Sequence, residues 1–136
     1  MKFADTSWWV AWTMPRDRRH DEAVQMRQNL GPNEQVLTTN LVLGESWTFV
    51  CHRANHRTAV GFLDRVGLLR DHDRLVIHRV TEEQELAAWT WLRKHDERAH
   101  SFVDATSFRV MRDRRLREAL AFDQDFAAAG FLEVTA

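Results

Sequence analysis

At 136 residues, with a formal net charge of −1 and one cysteine, the chain is sized for one domain with a real core, and it excludes an intrachain disulfide and a whole-molecule basic field for nucleic acid or anionic membrane. No apolar run approaches the roughly 20 residues of a membrane span, and the N-terminus lacks the apolar stretch of a signal peptide. A soluble protein of the reducing cytoplasm is the expectation.

The chain opens on Lys2-Phe3-Ala4, a short inner strand, and runs at once into Asp5-Thr6-Ser7, an acid followed by two hydroxyl residues. An acid at the carboxyl end of a strand lies where open α/β sheets bind ligands. Trp8, Trp9 and Trp12 follow at helical spacing and read as core. Met14-Pro15 breaks that segment, because the residue before proline is pushed out of the helical region. A second helix starts near Asp17 or His20 and runs to Leu30, where Gly31-Pro32 stops it. Glu34 to Thr39 reads as a strand and Asn40 as the N-cap of a mostly apolar helix through Leu41, Val42, Trp47 and Phe49. Glu45 sits one turn inside that helix. A buried unpaired charge is costly, so this carboxylate calls for a cation or a donor.

Asn55 to Leu69 carries apolar residues at helical spacing, and Arg74 to Val80 is the clearest strand in the chain. Thr81 and Gln84 form a capping box in front of a helix whose buried stripe is Leu86, Ala87, Trp89, Thr90 and Leu92. His100-Ser101-Phe102-Val103 reads as a short apolar step into Asp104, with a helix behind it from Ala105 to Met111. Glu118 to Phe122 is a further strand ending in Asp123, with Asp125 two residues later, and Phe131 to Val134 is a last edge strand. Strands alternating with helices predict an α/β fold, a central mostly parallel sheet covered on both faces.

Asp5, Asp104 and Asp123 each follow an apolar strand-like segment, and Glu45 lies a turn into the helix after another. Carboxyl ends of adjacent parallel strands stand roughly 5 Å apart. Two unit charges about 4 Å apart repel by about 4 kcal/mol at an effective dielectric of 20, so a cluster of such acids traps protons or binds a cation. An oxygen-only set favours a hard ion, Mg²⁺ or Mn²⁺. Such an ion activates water for attack on a phosphodiester, with hydroxyls at Thr6, Ser7 and Ser107 available to position the water or a phosphate oxygen. Each aspartate alone is equally well read as a helix cap; Glu45 and the repetition are not.

Four stretches resemble the signature segments of PIN-domain proteins, and most closely the VapC-type toxin ribonucleases of toxin–antitoxin pairs. They are Ala4 to Ser7, Leu37 to Glu45, Ser101 to Ser107 and Ala119 to Phe126, and together they span the whole chain in order. The resemblance implies a three-layer α/β/α fold with four to five strands and a single domain over residues 1–136. It also implies a Mg²⁺-dependent endoribonuclease, with Mn²⁺ as the alternative ion, whose catalytic and metal-binding quartet is Asp5, Glu45, Asp104 and Asp123. A small cognate antitoxin and a homodimer belong to the same expectation. Asp123 and Asp125 both fit the last acid; Asp123 is favoured because it directly follows the strand, while Asp125 reads as a solvated or capping residue.

Arg112, Arg114 and Arg115, with Arg117, cluster behind the Asp104 helix, and Arg16, Arg18 and Arg19 follow Pro15. Either group can hold RNA phosphates or form a solvated basic face; the first is taken as the candidate RNA contact. His52 and His56 lack a third ligand at zinc spacing and read as surface residues, as do His95 and His100. Cys51 reads as a buried small residue. Two other functions compete with the nuclease. A phosphohydrolase with Asp5 as nucleophile lacks a second Asp two residues on, where Ser7 stands. A non-catalytic module would use the acids only to hold a cation or a basic partner peptide.

Overall fold

The computed structural model describes residues 1–136. Five parallel strands form one sheet in the order β3-β2-β1-β4-β5: β1 is Lys2–Ala4, β2 Val36–Thr39, β3 Leu75–His78, β4 Glu118–Leu120 and β5 Leu132–Glu133. Helices fill the connections: α1 Thr6–Thr13, α2 His20–Gln28, α3 Asn40–Arg53, α4 His56–Asp71, α5 Glu82–Lys94, α6 Phe102–Asp113 and α7 Asp125–Ala128. The expected three-layer α/β/α architecture is what forms. One group of helices is linked through the α1–α2, α1–α3 and α3–α4 packings, another through α5–α6 and α6–α7, and α3 also touches α6.

The central strand carries most of the organisation. Phe3 of β1 registers with Leu37 of β2 on one side and Ala119 of β4 on the other, and all three are buried. The tryptophans of α1 pack as expected: Trp8 stacks on Trp12 with ring centroids 5.4 Å apart, and Trp9 meets Phe62 edge-on at 5.8 Å. Buried indoles need partners for their N–H groups. Trp8 Nε1 donates to the Ala23 carbonyl at 3.2 Å, and Trp9 Nε1 donates to Thr38 Oγ1 at 3.2 Å. Thr38 Oγ1 in turn donates to the Ala4 carbonyl at 2.9 Å, so the residue just before Asp5 is held from two elements.

Three local readings change. Thr39 caps α3, its hydroxyl accepting from Val42 N at 3.1 Å. Asn40 is the first helical residue instead, and its side chain accepts from Val80 N at 2.9 Å, tying the end of β3 to the start of α3. The segment before Asp104 is no strand: Ser101 caps α6, and Asp104 is the third residue of that helix. β4 ends at Leu120, so a turn of two residues separates it from Asp123.

Candidate active site

Strand order reverses around β1, with β2 and β3 on one side and β4 and β5 on the other. A crevice outside the carboxyl ends of the strands at such a point is the usual ligand site of an open parallel sheet. Here it is a cavity of about 790 Å³ lined by Asp5, Glu45, Asp104, Asp123 and Asp125, among others. Each acid arrives on a different element. Asp5 is the N-cap of α1; its Oδ2 accepts from Ser7 N at 3.2 Å and from Ser7 Oγ at 2.7 Å, while its backbone N–H extends the ladder to the Leu120 carbonyl at 3.0 Å. Glu45 projects from the second turn of α3. Asp104 closes a capping box: its N–H donates to Ser101 Oγ at 2.9 Å and its Oδ2 accepts from Ser101 N at 3.0 Å. Asp123 sits in the turn after β4, where Gln124 takes a left-handed φ of 67°, and Asp125 opens α7.

The electrostatics follow from crowding. Burial, then the charges of Asp123 and Asp104, push the Asp5 carboxyl up to about 8 against the opposing bonds from Ser7. Asp123 is pushed up to about 6, by its protein surroundings and then by Asp125, even though its side chain keeps open access to water at the rim. Burial also raises Asp104, with Asp125 adding to it, and raises Glu45, with Asp104 adding to it. The Thr6 hydroxyl beside Glu45 pulls the other way, yet Thr6 Oγ1 reaches no partner at hydrogen-bonding geometry. His100 Nδ1 is likewise buried without a partner, 3.9 Å from Asp104 Oδ2 and 3.6 Å from Asp125 Oδ1. Carboxylates converging on a polar cavity, with two orphaned polar atoms at its edge, match the donor chemistry of a hard divalent cation. The His100 imidazole, grouped with Asp104 and Asp125, adds a nitrogen donor at the margin, which Mn²⁺ accepts more readily than the oxygen-seeking Mg²⁺.

A family model described as PIN domain matches residues 2–132. The chain belongs to the PIN-domain family. This PIN domain is 46% identical over 134 residues to the 23S rRNA-specific endonuclease VapC20 of Mycobacterium tuberculosis, in strains CDC 1551 / Oshkosh and ATCC 25618 / H37Rv, with 98% of each chain covered. It also resembles the crystal structure of M. tuberculosis VapC20, described as a sarcin-ricin loop cleaving toxin, with a TM-score of 0.91 and 44% identity over 100% of both chains.

The remaining sequence-predicted residues divide. Of the three hydroxyls, only Thr6 lines the cavity of this PIN domain with its oxygen uncommitted. Ser7 also lines it, but Ser7 Oγ is spent: it donates to Asp5 and accepts from Phe122 N at 3.1 Å, tying the end of β1 to the segment after β4. Ser107 is fully buried and its hydroxyl donates back to the Val103 carbonyl at 2.8 Å, so it reaches no solvent. Arg112, Arg114 and Arg115 also stay out. Arg112 lies about 12 Å along α6 from Asp104, with Arg114 and Arg115 just past the helix end, where Arg112 covers Phe131 and Arg114 meets His78. The arginines of the cavity are Arg18, Arg19 and Arg53.

One helix face and two residues differ from the sequence reading: Leu86, Trp89 and Thr90, expected in a buried stripe, are exposed, and α5 buries Gln84 and Ala88 instead. Asp125 is not simply solvated: it lines the cavity and pairs with Arg98, which also donates to the Asp123 carbonyl at 2.8 Å. His100 is not on the surface, its side chain being 2% exposed between Trp91 and Phe108. The Ser101 to Asp104 capping box was visible in the sequence and would have placed a helix there; the burial of His100 had no local signal.

Proposed function

We propose that the protein is a divalent-metal-dependent endoribonuclease toxin of the VapC type, with Asp5 and Asp104 as the most direct ligands and Glu45 and Asp123 completing the set. The observation that carries this reading is the meeting of acids from the β1–α1 junction, α3, α6 and the β4–α7 turn in one cavity. A divalent cation bound there supplies Lewis acidity for water and offsets charge at the scissile phosphate. The chain's own residues do the rest. Ser7 holds the Asp5 carboxylate in register, and the Ser101 box fixes Asp104. Asp123 faces the same centre from the turn after β4, its carboxyl raised by burial and by Asp125 until a cation displaces the proton. Arg18, Arg19 and Arg53 offer phosphate contacts beside a centre that would otherwise repel RNA. Cleavage leaves a phosphate on one side of the cut and a hydroxyl on the other.

Identity of 46% to VapC20 over nearly the full chain makes the sarcin-ricin loop of 23S rRNA the first substrate to offer. A cognate antitoxin and a homodimer complete the proposal. Apolar side chains away from the cavity support a second chain, among them Trp89, 50% exposed and stacked on Phe102 at 4.0 Å. No helix is long and apolar enough to cross a membrane, and an RNA substrate puts the work in the cytoplasm. Purified protein is expected to cut a sarcin-ricin hairpin with Mg²⁺ or Mn²⁺ and to stop with chelator. Chelator-resistant cutting, or equal cutting by Asp104→Asn, overturns the assignment.

A further inference from the structure

Glu45, Phe49 and Arg53 recur every four residues along α3, so they stand one above another on a single face, each about 6 Å further from the acidic centre. All three line the cavity. Phe49 is 42% exposed and belongs to neither apolar cluster of the core. Its aromatic contact is with the Arg53 guanidinium, 5.3 Å above the ring. Arg53, the last residue of the helix, makes no ion pair and stands about 12 Å along the helix from Glu45. Neither residue joins the apolar core or an ion pair, and both line the cavity in front of the carboxylates.

On the nuclease reading above, we infer that this stripe is the track on which an unpaired RNA strand leaves the acidic centre, with Phe49 stacking a base and Arg53 taking a phosphate. Stacking on a side chain requires a base freed from its own neighbours, which loops and single strands supply and a duplex does not. The stripe therefore selects loop RNA over paired RNA. Arg18, exposed and free of ion pairs, stands with Arg19 on another part of the rim, Arg19 lying 5.0 Å over Phe122. Cations thus flank the acids on two elements, as a strand with phosphates on both sides of the cut requires.

The test measures binding in an Asp5→Asn background, so that no RNA is consumed. The probes are a sarcin-ricin hairpin with 2-aminopurine at single loop positions and the same loop strand annealed to its complement. Phe49→Ala is expected to weaken hairpin binding about 5- to 150-fold, with loss of 2-aminopurine quenching at one position, while Phe49→Trp restores both. Its preference for hairpin over duplex should shrink in parallel. Arg53→Gln should reduce the slope of log affinity against log salt by about 0.7, one single-strand phosphate's worth. Unchanged affinity and quenching in Phe49→Ala overturns the inference, as does a loss confined to binding of a cognate antitoxin. The two readings fail separately. Wild-type protein that cuts the hairpin while Phe49→Ala binds it normally sinks the stacking track alone; protein that never cuts with Mn²⁺ but loses binding in Phe49→Ala sinks the nuclease alone.

Discussion

Asp5 concentrates the chemistry in one side chain. It is 2% exposed, it caps a helix, and its carboxyl is pushed up to about 8 by burial and by the acids around it. Asn keeps the acceptor that caps α1 and removes the carboxylate a cation would draw on, so Asp5→Asn is expected to fold with an unchanged or raised Tm, lose stabilisation by Mn²⁺, and fall at least about 100-fold in cleavage. A Tm drop of many degrees would mean the residue is mainly structural. The raised values also set a pH dependence whose sign is opposite to that of a salt-bridged carboxylate. The folded chain holds protons at Asp5 up to about 8 and at Asp123 up to about 6, which the unfolded chain releases near 4. Stability of the metal-free protein should therefore fall as pH rises from about 4 to 8. A divalent cation competes with those protons, so the Tm gain from a fixed Mn²⁺ concentration should grow from pH 6 to pH 8. Thermal melts across that range, with and without Mn²⁺, check both signs.

Elements place these residues, and they were unequally legible. The strands from Lys2, Val36, Leu75 and Glu118 were readable because each is a short apolar run closed by a turn or cap signal, and their parallel order followed from the intervening helices. Asp104 lines the cavity with the other acids, but from a helix and not from a strand end: the apolar step before it is a helix start, and the Ser101 side chain decides that. The arginines after Asp104 were legible as a basic run, but their distance from the centre depended on α6 continuing to Asp113. The Trp9–Thr38–Ala4 chain had no sequence signal, since it joins positions far apart in the chain. Thr38→Val leaves the Trp9 N–H and the Ala4 carbonyl without that hydroxyl, and should cost about 1–3 kcal/mol by denaturant melts. Because Ala4 precedes Asp5, the same variant should also weaken Mn²⁺ binding; stability loss with unaltered binding would uncouple the strand from the site.

Across the whole molecule a net charge of −1 conceals segregation. Acids gather at the switch point of the sheet, arginines border them at Arg18, Arg19 and Arg53, and a separate basic patch at Arg112 and Arg115 lies around Phe131. Gln at Arg112 and Arg115 together should leave cleavage of a short hairpin within about twofold, whereas Gln at Arg18 and Arg53 should weaken it and flatten its salt dependence. The arrangement has meaning only if a cation sits among the carboxylates. Anomalous scattering from crystals soaked in Mn²⁺ locates the ion directly. A peak bounded by Asp5 and Asp104, with Glu45 and Asp123 around it, is expected, and it should disappear in Asp5→Asn; a cavity without density at millimolar Mn²⁺, or a peak on another face of the protein, would contradict a metal-centred site.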